Sequence, residues 1–201
     1  PRAALHVGAP VEDLGILVAP PLPRRDTVAE YGTLDEALPR GFRVDESSDA
    51  GSVPELVVHN PTDARVLLYD GEELVGAKQD RILNVSVLVE AGAKLPIPVS
   101  CVEQGRWRRQ SASFGAGDNI SHSHLRRIKA QALAGQPLAR GIAQNEVWRE
   151  IQEKQQRMGV RSGTATNRDT FAAHANAVRS LEQAFAAQPG QCGALLGIGD
   201  E

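Results

Sequence analysis

One run in the middle of the chain limits what the rest can become. From Arg81 to Glu90 (RILNVSVLVE), Leu83, Val85, Val87 and Val89 fall on one face, while Ile82, Asn84, Ser86 and Leu88 fall on the other. A period of two over that length reads as a β-strand with one buried and one partly wet face. Its surroundings repeat the signal. Leu56-Val57-Val58-His59 is followed by Asn60-Pro61-Thr62-Asp63, a turn. Arg65 to Tyr69 (RVLLY) is a further strand, and Asp70-Gly71 after it is a favoured hairpin dipeptide. Leu74-Val75-Gly76 is a short strand, and Ala91-Gly92-Ala93 is a turn. Leu95 to Val102 (LPIPVSCV) is a strand whose two prolines put it at an edge or an irregular position.

Upstream, Gly15-Ile16-Leu17-Val18 is a brief apolar run that Pro20, Pro21 and Pro23 end. Thr33 to Leu38 (TLDEAL) predicts a short helix, with Thr33 as cap, Glu36 closing a capping box, and Pro39 and Gly41 as stops. Composition shifts after Trp107. Arg108 to Ser123 is polar and rich in glycine and serine, and predicts a loop. Helices follow at His122–Ala134 and from Asn145 to Met158, with Gly159 placed to end the second. A third runs from Thr166 or Asn167 to about Ala187, with Phe171, Ala175, Val178, Leu181 and Phe185 in an apolar stripe. Cys192 to Ile198 opens a last strand. Strands first and helices after favour α+β over a βαβ alternation. The expectation is one domain over residues 1–201. An antiparallel β-sandwich-like or jelly-roll-like core spans about 10–107, and two or three helices from 121–188 pack on it.

Composition narrows the function. The formal net charge of -3 lacks the basic excess that general nucleic-acid or membrane-surface binding needs. Aromatic residues make up 4% of the chain, so aliphatic side chains must build most of the core. Cys101 and Cys192 stand far apart, which fits neither a disulfide framework nor a zinc spacing. No apolar run is long enough for a transmembrane helix, and no signal-peptide pattern opens the chain. The chain begins at a proline, which points to trimming. A reducing, cytoplasmic setting is the expectation.

The chemistry gathers at the ends of the central strands, where loops carry function. One cluster is Glu72, Glu73, Lys78, Gln79, Asp80 and Arg81; the other is Ser100, Cys101, Glu103, Gln104, Arg106 and Trp107. Adjacent carboxylates on a strand face opposite ways, so Glu72 and Glu73 are not a dyad. Either pairs with Lys78 or Arg81 across a hairpin, or it faces a cleft. The chain has only four lysines, and Lys78 sits between two β segments, where it suits a phosphate, with Arg81 adding a planar fork. Cys101 and Glu103 share a strand face. Cys101 as a nucleophile lacks a histidine nearby in sequence, and the commoner role of a free cysteine is a small buried hydrophobe. Glu103 is better placed as a general base, a ligand or an anchor for Arg106. Trp107 stacks a base or covers the core, and Gly105 allows a tight turn or bulge. His122-Ser-His124 has no evident third ligand, so no metal site is expected. Arg126, Arg127 and Lys129 read as a solvated helix face.

Two blocks, GEELVGAKQDRILNVSVLV at 71–89 and IPVSCVEQGRW at 97–107, resemble the family of ARG and Rhodanese-Phosphatase-superfamily-associated proteins. Weaker agreement lies in Tyr31-Gly-Thr-Leu-Asp-Glu-Ala-Leu and Ser52-Val-Pro-Glu-Leu, so the likeness covers roughly Leu14 to Trp107. The family name records an association with ADP-ribosylglycohydrolases and a rhodanese-like phosphatase. The resemblance implies a link to ADP-ribose or nucleotide metabolism, with no established reaction. It also implies a strand and a short helix after Gly193-Ala-Leu-Leu-Gly-Ile, which would make the Asp200-Glu201 end a truncation or a divergent terminus. The resulting expectation is a small-molecule or nucleotide-binding domain in which Glu72, Lys78, Gln79, Arg81, Arg106 and Trp107 hold the ligand. One alternative is a hydrolase or transferase using Glu103 or Cys101. Another is a non-catalytic module that assembles, as a homo-oligomer, through its C-terminal helices. The sequence names no cofactor.

Overall fold

The computed structural model describes residues 5–7, 11–13, 16–19, 21–23, 31–134, 144–189, 191 and 193–198. It divides into two compact units. Cys192, and the break expected at Gln136-Pro137 to Gly141, lie outside the described residues.

The smaller unit joins Pro1–Ala29 to His174–Glu201. Strand β1 (Leu5–Val7) pairs with β4 (Pro21–Pro23), while β2 (Val11–Asp13) and β14 (Leu195–Ile198) flank β3 (Ile16–Ala19). The apolar run after Gly15 is therefore a strand, and the expected last strand forms. This unit also holds α5 (Ala175–Ala184).

The larger unit, Glu30–Ala173, carries the central block. Its strands are β5 (Tyr31–Thr33), β6 (Arg43–Glu46), β7 (Glu55–His59), β8 (Arg65–Leu68) and β9 (Glu72–Gly76). After these come β10 (Arg81–Leu83), β11 (Val87–Val89), β12 (Lys94–Cys101) and β13 (Phe114–Ile120). Six of them close an antiparallel barrel in the order β10, β12, β7, β6, β13, β9. The α+β reading holds, but the sandwich or jelly roll gives way to a barrel. Alternation marks which residues face inward; it does not say which strands pair, and closure depends on pairs distant in sequence.

Two departures produce that closure. The run Arg81 to Glu90 is not one strand. It breaks at Asn84 to Ser86, leaving β10 in the barrel and β11 in a three-stranded sheet with β8 and β5. The polar stretch after Trp107 is not all loop either. Its second half is β13, which bridges β9 and β6, anchored by Phe114 opposite Gly76 and Val44. Glycine-rich strands have low propensity, but here ladder hydrogen bonds and one buried phenyl ring decide. The prolines of β12 do not mark a sheet edge, because β12 lies between β10 and β7 in the closed barrel; Pro96 and Pro98 fall where it pairs with β7, before β10 joins at Val99.

Helix α1 (Leu34–Ala37) starts as the sequence predicts, with Glu36 Oε2 accepting the Thr33 backbone N–H at 2.9 Å. Helices α2 (Ser123–Ala134) and α3 (Gln144–Arg157) bury Leu125, Val147 and Ile151 with Ile82 and Val102 in a second apolar cluster outside the barrel. Gly159, at φ 65, ends α3. The expected third helix is interrupted at His174, leaving α4 (Asn167–Ala173) and α5. Lys129 corrects the solvated-face reading. It is fully buried, pairs with Asp70 at 2.7 Å, and donates to the Leu83 carbonyl where β10 ends.

Candidate functional site

The two chemical clusters of the sequence meet in space. Arg81 pairs with Cys101 across β10 and β12, Val102 N donates to Asp80 O at 3.0 Å, and Arg108 N donates to Lys78 O at 3.2 Å. The Gln79 amide donates to the Glu103 carbonyl at 2.8 Å.

At the junction lies Arg106. Its Nε donates to Glu103 Oε2 at 2.7 Å, and its Nη2 donates to Asp80 Oδ1 at 2.9 Å. Its Nη1 reaches the carbonyls of Ala77 and Arg108, both at 3.0 Å. All three charged side chains are buried. Burial pushes Glu103 upward, but Arg106, the Asp80 amide and the Thr164 hydroxyl outweigh it and hold the carboxyl below its ordinary range. Asp80 goes the other way: burial and the charge of Glu103 raise it against Gly76 N–H, Arg106 and Arg168. Both carboxyl oxygens of Glu103 are thus engaged, Oε2 by Arg106 and the Asp80 amide and Oε1 by Thr164. Ala77, at φ 39, gives a turn that brings its carbonyl to Arg106.

Strand register separates the neighbouring side chains into two faces, because directly opposed residues of an antiparallel pair project to the same side. Leu83 pairs with Val99, and both lie in the barrel core. Arg81, two residues from Leu83, pairs with Cys101 and with the core residue Leu74, so Arg81 and Cys101 point inward. Glu46 pairs with the core residue Leu56 and also points inward. These three line one mouth of the barrel. Arg81 is completely buried, and its Nη1 is 3.2 Å from both the carbonyl and the side-chain oxygen of Gln79. Among the described residues its Nε and Nη2 have no hydrogen-bond partner, and neither has Glu46 Oε2. The Cys101 thiol donates to Gln79 Oε1 at 3.0 Å; burial pushes it up to about 11, against the pull of Arg81 and with help from Glu46. A thiol held this way stays largely protonated at neutral pH. Over the mouth lies Trp107, 51% exposed, with Arg81 Cζ 5.7 Å and Lys78 Nζ 5.6 Å from its ring centroid. Lys78 Nζ also donates to the Asp49 carbonyl.

The opposite face carries Glu73, which pairs with Ile82 and turns toward the helices. It is fully buried, and among the described residues neither carboxyl oxygen has a hydrogen-bond partner. Burial raises it to about 8, and Asp80 and Asp118 add to the effect, while Arg168 and the Asn167 amide oppose it. That amide lies close by without the alignment of a hydrogen bond, since both its nitrogen and its oxygen are buried and unpartnered. Gly117 makes room: a Cβ there would come within 2.9 Å of Glu73 Cβ. Glu72 is elsewhere. Its carboxylate accepts the Tyr69 N–H at 2.9 Å, and burial and Asp35 raise it.

Of the residues expected to hold a ligand, Lys78, Gln79, Arg81 and Trp107 therefore share the mouth. Arg106 and Glu103 brace the loops behind it, and Glu72 stands apart. Glu73 stood in the first cluster but was not among the residues expected to hold the ligand, and Glu46 was not singled out from sequence. Only the alternation rule, which sends Glu72 and Glu73 to opposite faces, could have pointed to Glu73. His122 and His124 lie 3.1 and 3.4 Å from the two oxygens of Glu150, which also pairs with Arg157 at 3.0 Å. Among the described residues no group of three or more His, Cys, Asp or Glu side chains is arranged to hold a metal.

A six-stranded barrel with a basic, tryptophan-covered mouth places the chain in the broad class of small β-barrel domains with auxiliary helices. The chain belongs to the family of the ARG and Rhodanese-Phosphatase-superfamily-associated Protein domain, whose model matches residues 4–201. No curated protein and no solved structure matches it. Among the described residues no helix is long and apolar enough to cross a membrane.

Proposed function

We propose that the barrel mouth binds a small anionic molecule of the nucleotide or ADP-ribose class. The observation that carries this reading is Arg81, a fully buried guanidinium that aims into the barrel with two nitrogens unpartnered among the described residues. A buried charge without an anion is costly, and a phosphate is the planar fork's natural complement. Lys78 adds a second cation beside the same ring. Trp107 supplies a half-exposed face for a base, and Glu46 Oε2 supplies an acceptor for a ribose hydroxyl. Barrel mouths are common ligand sites. The family name supports an ADP-ribose context and says no more than association.

The competing enzyme reading, with Cys101 or Glu103 as the reactive group, has less support. The thiol is protonated and tied to Gln79, and the carboxylate is spent on Arg106 and Thr164. The unpaired thiol of Cys101 fits the reducing, cytoplasmic setting we propose.

Trp107 and Trp148 are the two tryptophans, so a Trp148→Phe background isolates the reporter. Titrating ADP-ribose, ADP, AMP or inorganic phosphate should change Trp107 emission. A ligand at a hundred times its Kd should raise stability by about 2.7 kcal/mol. Trp107→Ala should weaken a base-bearing ligand roughly 5- to 150-fold, the range of one base–aromatic stack, and should spare inorganic phosphate. Arg81→Met should abolish binding of all four. Unchanged emission and melting with every probe at millimolar concentration would overturn the reading.

A further inference from the structure

The geometry points to a proton-operated latch. With Glu73 neutral, α4 and the segment before it stay docked on the outer face of the barrel; with Glu73 charged, they lift away. The segment from Thr164 to Thr170 is built as a clamp on the loop that leads to Trp107. Thr164 Oγ1 donates to Glu103 Oε1 at 3.0 Å, Gly105 N donates to Thr164 O at 2.8 Å, and Asn167 N donates to Val102 O at 2.9 Å. Thr166 bridges to Glu103, and a Cβ at Gly105 would come within 2.8 Å of Thr164 Cα, so the two backbones touch. Ala165 is held at φ 53, a conformation that a non-glycine residue leaves readily once its neighbours release it.

The underside of this clamp is polar and poorly matched. Asn167 and Thr170, one helical turn apart, are each 1% exposed, and among the described residues the Asn167 amide atoms and the Thr170 hydroxyl have no partner. Glu73 lies beneath Asn167. A neutral carboxyl can donate one hydrogen bond and accept another there, so it tolerates this lid. Among the described residues a carboxylate has no aligned hydrogen-bond donor, only the nearby Asn167 amide and the charge of Arg168, and it would be buried beside like charges. The charged groups that face it are Asp80 on the turn before β10, Asp118 on β13 and Arg168 on α4; the two acids add to the cost of ionisation and only Arg168 opposes them. Loss of the proton to solvent, with the carboxyl raised to about 8, therefore falls just above neutrality. Water reaching the carboxylate requires the clamp to move, and the clamp's partners are Val102, Glu103 and Gly105, next to Trp107.

Any effect of opening on ligand uptake rests on the barrel-mouth reading; the latch itself does not, so its test uses ligand-free protein. Carbon-13 NMR of the glutamate carboxyls and nitrogen-15 spectra of the amides, followed from pH 6 to pH 10, report both events. The amides of Thr164, Thr166, Asn167 and Thr170 should shift together with Glu73, with one shared midpoint near 8. In Glu73→Gln they should stay at their low-pH positions throughout. A Glu73 carboxyl already ionised at pH 6 would overturn the latch, and so would amides that ignore its titration. Both outcomes are read in the wild-type chain, so the conclusion stands even if the variant folds poorly. If the latch titrates and no anion binds, the barrel-mouth reading alone fails.

Discussion

Replacing Arg106 with leucine is expected to lower stability by about 3–5 kcal/mol, the cost of leaving a buried charge without its partner. For a chain of this size that is a fall in Tm of roughly 6–20 °C. Among the described residues the guanidinium is the sole cation hydrogen-bonded to Glu103, and it satisfies the carbonyls of Ala77 and Arg108 as well as Asp80. Leucine fills much of the space and supplies none of these donors. Arg106→Lys should fall between, because a single ammonium cannot reach two carboxylates and two carbonyls from one position. The pH dependence should change too. In the wild type, the lowered Glu103 contributes stability that is present above its unfolded pKa and is lost as pH falls through its folded one. Asp80, raised, works against the fold above its unfolded pKa. Without Arg106 both carboxyls should resist ionisation, so the variant should lose least at acidic pH. Urea denaturation at pH 4 and pH 7 measures this. A loss below about 1 kcal/mol at pH 7, the range of an exposed pair, would show that the cluster is solvated.

That loop junction was half legible in the sequence. Crowded charges on either side of a β pattern located it, and the pairing of Arg81 with Cys101 follows from a strand that returns beside its neighbour. What composition could not carry was direction. Glu72 and Glu73 are chemically alike in sequence, and only the register of β9 against β10 sends one to the Tyr69 turn and the other beneath α4. Lys129 likewise reads as solvent-facing in a polar helix until Asp70 and the Leu83 carbonyl arrive from a distant hairpin. The barrel was hidden for the same reason. Its closing strand, Phe114–Ile120, has two polar or glycine positions for each strong strand former, and its partners lie 38 to 70 residues upstream. Local signals with local causes, such as the Thr33–Glu36 box and the Gly159 stop, were readable because nothing remote decides them. The clamp at 164–170 had no sequence signature. Its contacts run from a polar loop to a glycine whose importance lies in backbone approach.

Glu73→Gln is expected to stabilise the protein, by an amount that grows with pH. The sign follows from the raised carboxyl. Between the unfolded value, near the ordinary 4.5, and the folded value of about 8, the native state keeps a proton that the unfolded state releases. Wild-type stability therefore falls as pH rises across that window, by about 1.4 kcal/mol per unit, and the cost is complete above it. Glutamine removes the titration while keeping the shape, which matters because Gly117 leaves no room for a larger group. Its amide also offers a donor and an acceptor to the two unpartnered atoms of Asn167. The difference between variant and wild type should thus be near zero at pH 4.5, reach about 3 kcal/mol at pH 7 and level off above pH 8. Urea midpoints at a series of pH values give the curve directly, with an unchanged m-value confirming that the native state is the same. A constant difference across the series would mean that Glu73 is ionised and solvated throughout, and then neither the raised carboxyl nor the latch built on it could stand. A plateau lower than the titration requires would instead measure how easily the clamp opens, because local opening caps the cost of keeping a charge buried.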